Sequence, residues 1–247
     1  MAEENSFKEN LNWKKLSIDA INTIIATAIG IVIGLLVDKA KENSDKAENY
    51  QKIIVATINN LENYQSQIES LQEFTQYGLD LLDEVSESEQ LPEDIADNFF
   101  NVYYEESFKS QDRWIEENFI ANGNFIEDTD LRLKIGNVYS TIELARNVLN
   151  ELRTAAVPEL DKYTNRYIDN EKTCINKTIE DKSFTNYIEK LSSANYKVKT
   201  YIAIIKDLNA DILKISKADE NELNKMRESS KKINDLINKK EEATAAE

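Results

Sequence analysis

Ala20–Val37 reads AINTIIATAIGIVIGLLV, and no charged residue falls between Asp19 and Asp38. At the helical rise such a run covers roughly 27 Å, close to the hydrocarbon thickness of a bilayer. Soluble helices rarely run so far without a charge. A secretory leader has a shorter apolar stretch, and no small-x-small cleavage site precedes Asp38–Glu42. The run therefore predicts a transmembrane helix over residues 17–38, after a polar lead over 1–16.

The flanks fit that expectation. Trp13, Lys14 and Lys15 stand before the run and Lys39 after it. An amphipathic ring and lysine ammonium groups are what the water–lipid interface accepts. Inside the run, Ala26, Gly30 and Gly34 recur every four residues. They make one small-residue face, and Gly30 and Gly34 form a G-x-x-x-G pattern that lets a second helix approach closely. Lysines lie on both sides in nearly equal number, so the positive-inside rule leaves the orientation open.

Beyond Lys39 the chain is polar but regularly patterned. It holds only 5 Gly and 2 Pro in 247 residues, a poverty that favours long helices over turn-rich β structure. The stripe Tyr50, Ile54, Ile58, Leu61, Tyr64, Ile68, Leu71, Leu79 and Leu82 predicts a helix to about Val85. It suits a bundle helix or a coiled-coil stalk. Leu91-Pro92-Glu93-Asp94 marks a helix start, and Ile95, Phe99, Val102, Tyr103 and Phe108 predict a second helix with an aromatic face. Aromatic residues at helical spacing are core more often than ligand site. A short helix carrying Trp114, Ile115, Phe119 and Ile120 is followed by an expected turn at Ala121-Asn122-Gly123-Asn124.

Asp128 or Thr129 can cap the next helix, whose stripe is Leu131, Ile135, Val138, Ile142, Ala145, Leu149 and Leu152. Pro158 is expected to kink or restart it. A last long helix is expected from Phe184, with the stripe Tyr187, Ile188, Leu191, Val198, Ile202, Ile205, Leu208, Ile212 and Ile215. The reading is all-α: a transmembrane helix continuing into a stalk and an elongated helical bundle over 39–217. A polar helical or frayed tail follows over 218–247.

Chemistry is constrained mainly by what the chain lacks. It has no histidine and one cysteine, Cys174. Zinc centres, Ser-His-Asp triads and Cys-His dyads as usually built are excluded. Cys174 is expected to be a small buried residue. The carboxylate pairs Glu105-Glu106, Glu116-Glu117 and Asp128/Asp130 lack the calcium-loop signature, and no phosphate-binding glycine loop occurs. A net charge of −16 opposes binding to nucleic acid. No metal, cofactor or catalytic residue is assigned. The expected partners are the lipid bilayer and a protein, either a different one or a second copy of this chain.

The stretches IGIVIGLLVDKAKEN and FIANGNFIEDTDLRLKIGNVYSTIE, the latter from Phe119 to Glu143, carry a resemblance. The order of features resembles a family of uncharacterised single-pass membrane-anchored helical proteins (a domain of unknown function) common in the Bacteroidota. That resemblance implies an inner-membrane protein with its N-terminus in the cytoplasm and its helical domain outside, in the periplasm. It carries over no site residue. The resulting expectation is a non-catalytic membrane-anchored interaction or scaffold protein. The alternative is an extracytoplasmic ligand sensor or an accessory subunit of a membrane complex.

Overall fold

A computed structural model describes residues 46–87, 98–106, 113–122, 126–166 and 171–245. Among the described residues every regular element is helical, so the chain is all-α. The helices are α1 (Lys46–Glu87), α2 (Arg113–Asn122), α3 (Thr129–Arg166), α4 (Glu171–Ile179), α5 (Lys182–Ser216) and α6 (Glu220–Ala245). A 3-10 turn, Phe99–Val102, precedes α2. The expected transmembrane segment and its flanks lie outside the described residues. Among the described residues, no helix is long and apolar enough to cross a membrane.

The chain divides into two compact units. One comprises residues 61–109 and 133–215. In it α1, α3 and α5 form a three-helix bundle. Gln65 pairs with Asn209 and Gln72 with Asn195, so α1 and α5 run antiparallel. Lys134 pairs with Asp211 and Lys162 with Ser183, so α3 and α5 do the same. Hence α1 and α3 are parallel. Parallel neighbours cannot be joined by a tight turn, and the long connection between Glu87 and Thr129 supplies the return. All seven α3 stripe residues, from Leu131 to Leu152, are buried. On α1 the stripe drifts: Leu81 and Val85 are buried near its end, while Leu79 and Leu82 are only half-buried. Gly78 explains the drift, because it lies on the Leu81 face and meets Val102 of the returning chain.

Two sequence expectations are corrected here. The second expected helix does not reach Tyr103: its described part closes in the 3-10 turn Phe99–Val102, and Tyr103, with φ of −84° and ψ of 121°, is extended. Nor does α3 restart at Pro158, for the helix runs unbroken to Arg166. Pro158 removes the amide that would bond Thr154 O, but both residues are exposed, on a side of the helix that solvent can reach. The buried stripe meanwhile continues through Ala156, Glu159 and Tyr163.

Helix ends are set by local side chains. Asp128 caps α3, its Oδ1 accepting the Leu131 amide at 3.0 Å. Asp181 caps α5 by accepting the Ser183 amide at 2.9 Å. Each cap satisfies an amide that the helix itself leaves free.

The other unit comprises residues 1–60, 110–132 and 216–247. Its described core includes Ile54, Ile58, Ile115, Ile126, Leu131 and Leu223. Asp219 caps α6 through the amides of Asn221 and Glu222. The preceding turn is held by one amide group: Gln51 Nε2 donates to Lys217 O at 3.1 Å and its Oε1 accepts the Asp219 amide at 3.0 Å. Asn59 Nδ2 donates to Ser230 Oγ at 3.0 Å, so α6 runs parallel to the start of α1.

Gly136 sits inside α3 with nothing within 4 Å of the position a Cβ would take. Gly136→Ala is therefore expected to stabilise the protein by about 0.5–1 kcal/mol, the helix-propensity difference alone. Urea unfolding measures this, and a loss of stability would show that the position is not open.

Candidate functional site

The aromatic stretch FFNVYYEESF is the most distinctive sequence in the domain, and the structure places its first half in the core. Phe99, Val102, Tyr103 and Tyr104 are all buried, whereas Phe100 is half exposed. A non-helical segment that enters a core must find partners for its backbone groups. Tyr187 of α5 supplies two. Its hydroxyl accepts the Tyr104 amide at 2.8 Å and donates to Val102 O at 2.9 Å. Arg153 Nε donates to Glu105 O at 3.0 Å one residue further on. The segment approaches α1 closely because position 78 is glycine: a Cβ there would lie 3.2 Å from Val102 O.

Around this clamp the rings pack together. Tyr103 stacks on Tyr187 with centroids 5.7 Å apart, and Phe99 lies 5.4 Å from Tyr163 and 5.9 Å from Phe184. Burial pushes the phenols of Tyr103, Tyr104 and Tyr187 well above their ordinary range. Nearby Tyr163 and Glu159 add to the effect at Tyr103. All three are packing groups, the Tyr187 hydroxyl is also a hydrogen-bonding group, and none is an acid or base at neutral pH.

The sign of the resulting pH dependence follows from linkage. Unfolding returns each phenol to a value of about 10, so the unfolded chain holds fewer protons above that pH. The stabilisation is complete below about pH 10 and is lost as pH rises towards the folded values. Stability is expected to be flat from neutral pH to about pH 9 and to fall beyond about pH 10. Phenolate absorbance should show these tyrosines ionising only as the fold opens. Reversible ionisation of all tyrosines near pH 10 in folded protein would refute this.

Other candidate groups are likewise absorbed by structure. Cys174 is buried, with Sγ 3.5 Å from Tyr163 O. Thr178 is buried and its hydroxyl donates to Cys174 O at 2.8 Å. Asp128 is a helix cap, and Glu105, Glu106 and Glu117 are exposed while Glu116 is buried. Among the described residues no group of three or more cysteines and carboxylates is placed to hold a metal ion.

The surface offers apolar side chains. Leu133 and Leu144 project from the outer side of α3, and Phe74 and Tyr77 from α1, all at least 45 % exposed. The residues read from sequence as membrane-facing all lie outside the described residues: Trp13, Lys14, Lys15 and Lys39 at the interfaces, and Ala26, Gly30 and Gly34 on the packing face. The Tyr187 clamp and the Gly78 notch were not singled out by sequence. Their only local signal is a tyrosine on an apolar stripe and a glycine inside a helix.

The chain matches no protein-family model, no curated protein and no solved structure.

Proposed function

We propose that this chain is a single-pass membrane protein whose helical domain works as an interaction scaffold, without a catalytic site of its own. The observation that carries the reading is Ala20–Val37, an uncharged run of bilayer length in a chain that is 31 % charged as a whole. Burying that run in lipid is the ordinary way to keep it from water. The helical domain supports the second half of the reading. Its buried tyrosines, Cys174 and the capping carboxylates are engaged in packing or hydrogen bonds, and what it presents to solvent is helix surface with scattered large apolar side chains.

In this reading Trp13, Lys14, Lys15 and Lys39 sit at the lipid interfaces. Ala26, Gly30 and Gly34 pair the span with a second span, from another copy of the chain or a different membrane protein. The family resemblance orients the domain towards the periplasm.

Cross-linking in native membranes tests the pairing. Gly30→Ile with Gly34→Ile should abolish a span-dependent cross-linked species, and an unchanged species would exclude this face. The side of the membrane is read by labelling. Because Cys174 is buried, the reporter is Ser193→Cys in a Cys174→Ala background, Ser193 being exposed on α5. An impermeant thiol reagent should reach it from the periplasmic side of intact cells.

A further inference from the structure

The buried positions of the bundle repeat every seven residues. On α1 they include Leu61, Ile68 and Thr75, and on α5 Leu191, Val198 and Ile205. A repeat of this kind leaves apolar burial almost unchanged when one helix slides past the other by seven residues, roughly 10 Å. Something other than hydrophobicity must then fix the level at which α1 meets α5.

One layer breaks the repeat. Thr75 is fully buried and Asn195 nearly so. Thr75 Oγ1 lies 2.9 Å from Asn195 Oδ1, which also accepts from Gln72 Nε2 at 2.9 Å. Asn195 Nδ2 donates to Gln76 Oε1 at 3.0 Å, and Lys199 Nζ donates to the same oxygen at 2.6 Å. Sliding by seven residues towards the end of α1 would set Asn195 against the level of Leu82, with Leu79 in place of Gln72 and the acceptor Asp83 in place of Gln76, so its Oδ1 would lose its donors. A buried amide oxygen without a donor is heavily penalised. We infer that the Thr75–Asn195 layer selects the register of α1 on α5 against this slip, and that it contributes pairing specificity rather than net stability. Gly78, one turn further along α1, adds a steric bias in the same direction through its contact with Val102.

The experiment uses the full chain in a Cys174→Ala background with a short bis-thiol cross-linker. Gln65→Cys with Asn209→Cys reports the native register, since these side chains are hydrogen-bonded at 2.9 Å. Glu69→Cys with Leu213→Cys reports the register slipped by one repeat towards Leu82, since Glu69 faces Lys206 at 3.1 Å in the native register and neither residue belongs to the layer. In each reporter the layer is either kept or replaced by Thr75→Val with Asn195→Leu. The replacement should leave the thermal midpoint unchanged or higher. It should raise the slipped product by about tenfold or more, the factor set by relieving one unpaired buried amide. The native product stays dominant because Gly78 is retained. A replacement that unfolds the bundle, or that leaves the slipped product at its original level, overturns the inference.

Discussion

Tyr187→Phe is expected to lower the unfolding free energy by about 3 kcal/mol, a large share of the stability of a domain this size. The substitution keeps the ring and its stacking on Tyr103 but removes the hydroxyl. The Tyr104 amide and the Val102 carbonyl then lose their partner in a buried setting. Each orphaned backbone group costs about 1–3 kcal/mol. Tyr103→Phe is the matched control, because the Tyr103 hydroxyl has no protein partner among the described residues and its removal should be nearly neutral. Chemical denaturation of the two variants reads the difference. Hydrogen exchange adds a local test: the Tyr104 amide should lose protection in Tyr187→Phe before the helices do. Equal stability of the two variants would remove the clamp from the account.

Gly78→Val is expected to cost about 2 kcal/mol. The first added carbon would lie 3.2 Å from Val102 O and 3.4 Å from Leu191 Cδ2, closer than comfortable contact. The oxygen belongs to the backbone of the clamped segment, so it cannot swing away as a side-chain end would. The branched carbons of valine add further crowding, and their poor helix propensity offsets much of what glycine itself loses. Gly78→Ala separates the two effects. It gains propensity but meets the same oxygen, so it should not reproduce the gain expected of Gly136→Ala. A full gain at both glycines would mean that the returning chain does not press on α1.

How legible the fold is in the sequence depends on the range of the interactions. The α3 stripe is readable because seven-residue periodicity is local, and all its residues from Leu131 to Leu152 are indeed buried. Asp128 is readable as a boundary for the same reason, since a cap needs only its own next turn. The end of the second helix is not. The spacing of Phe99, Val102 and Tyr103 carries the helix through Tyr103, and a partner 83 residues away in sequence takes the Tyr104 amide where the 3-10 turn has already closed at Val102. Pro158 misleads in the opposite way. Its cost depends on whether Thr154 O reaches water, and exposure is a tertiary fact. The candidate membrane face is readable as a pattern only: Ala26, Gly30 and Gly34 lie outside the described residues, so it stands on spacing and hydropathy.

The most direct test of the central claim is alkaline carbonate extraction of membranes from cells making the full chain. The account predicts that the protein stays in the membrane pellet. It further predicts that Ile29→Lys with Ile33→Lys moves it to the supernatant, since each lysine near the middle of a span costs about 2.5–3.5 kcal/mol. Extraction of the unaltered chain into the supernatant would contradict a transmembrane Ala20–Val37, and with it the membrane-anchored scaffold.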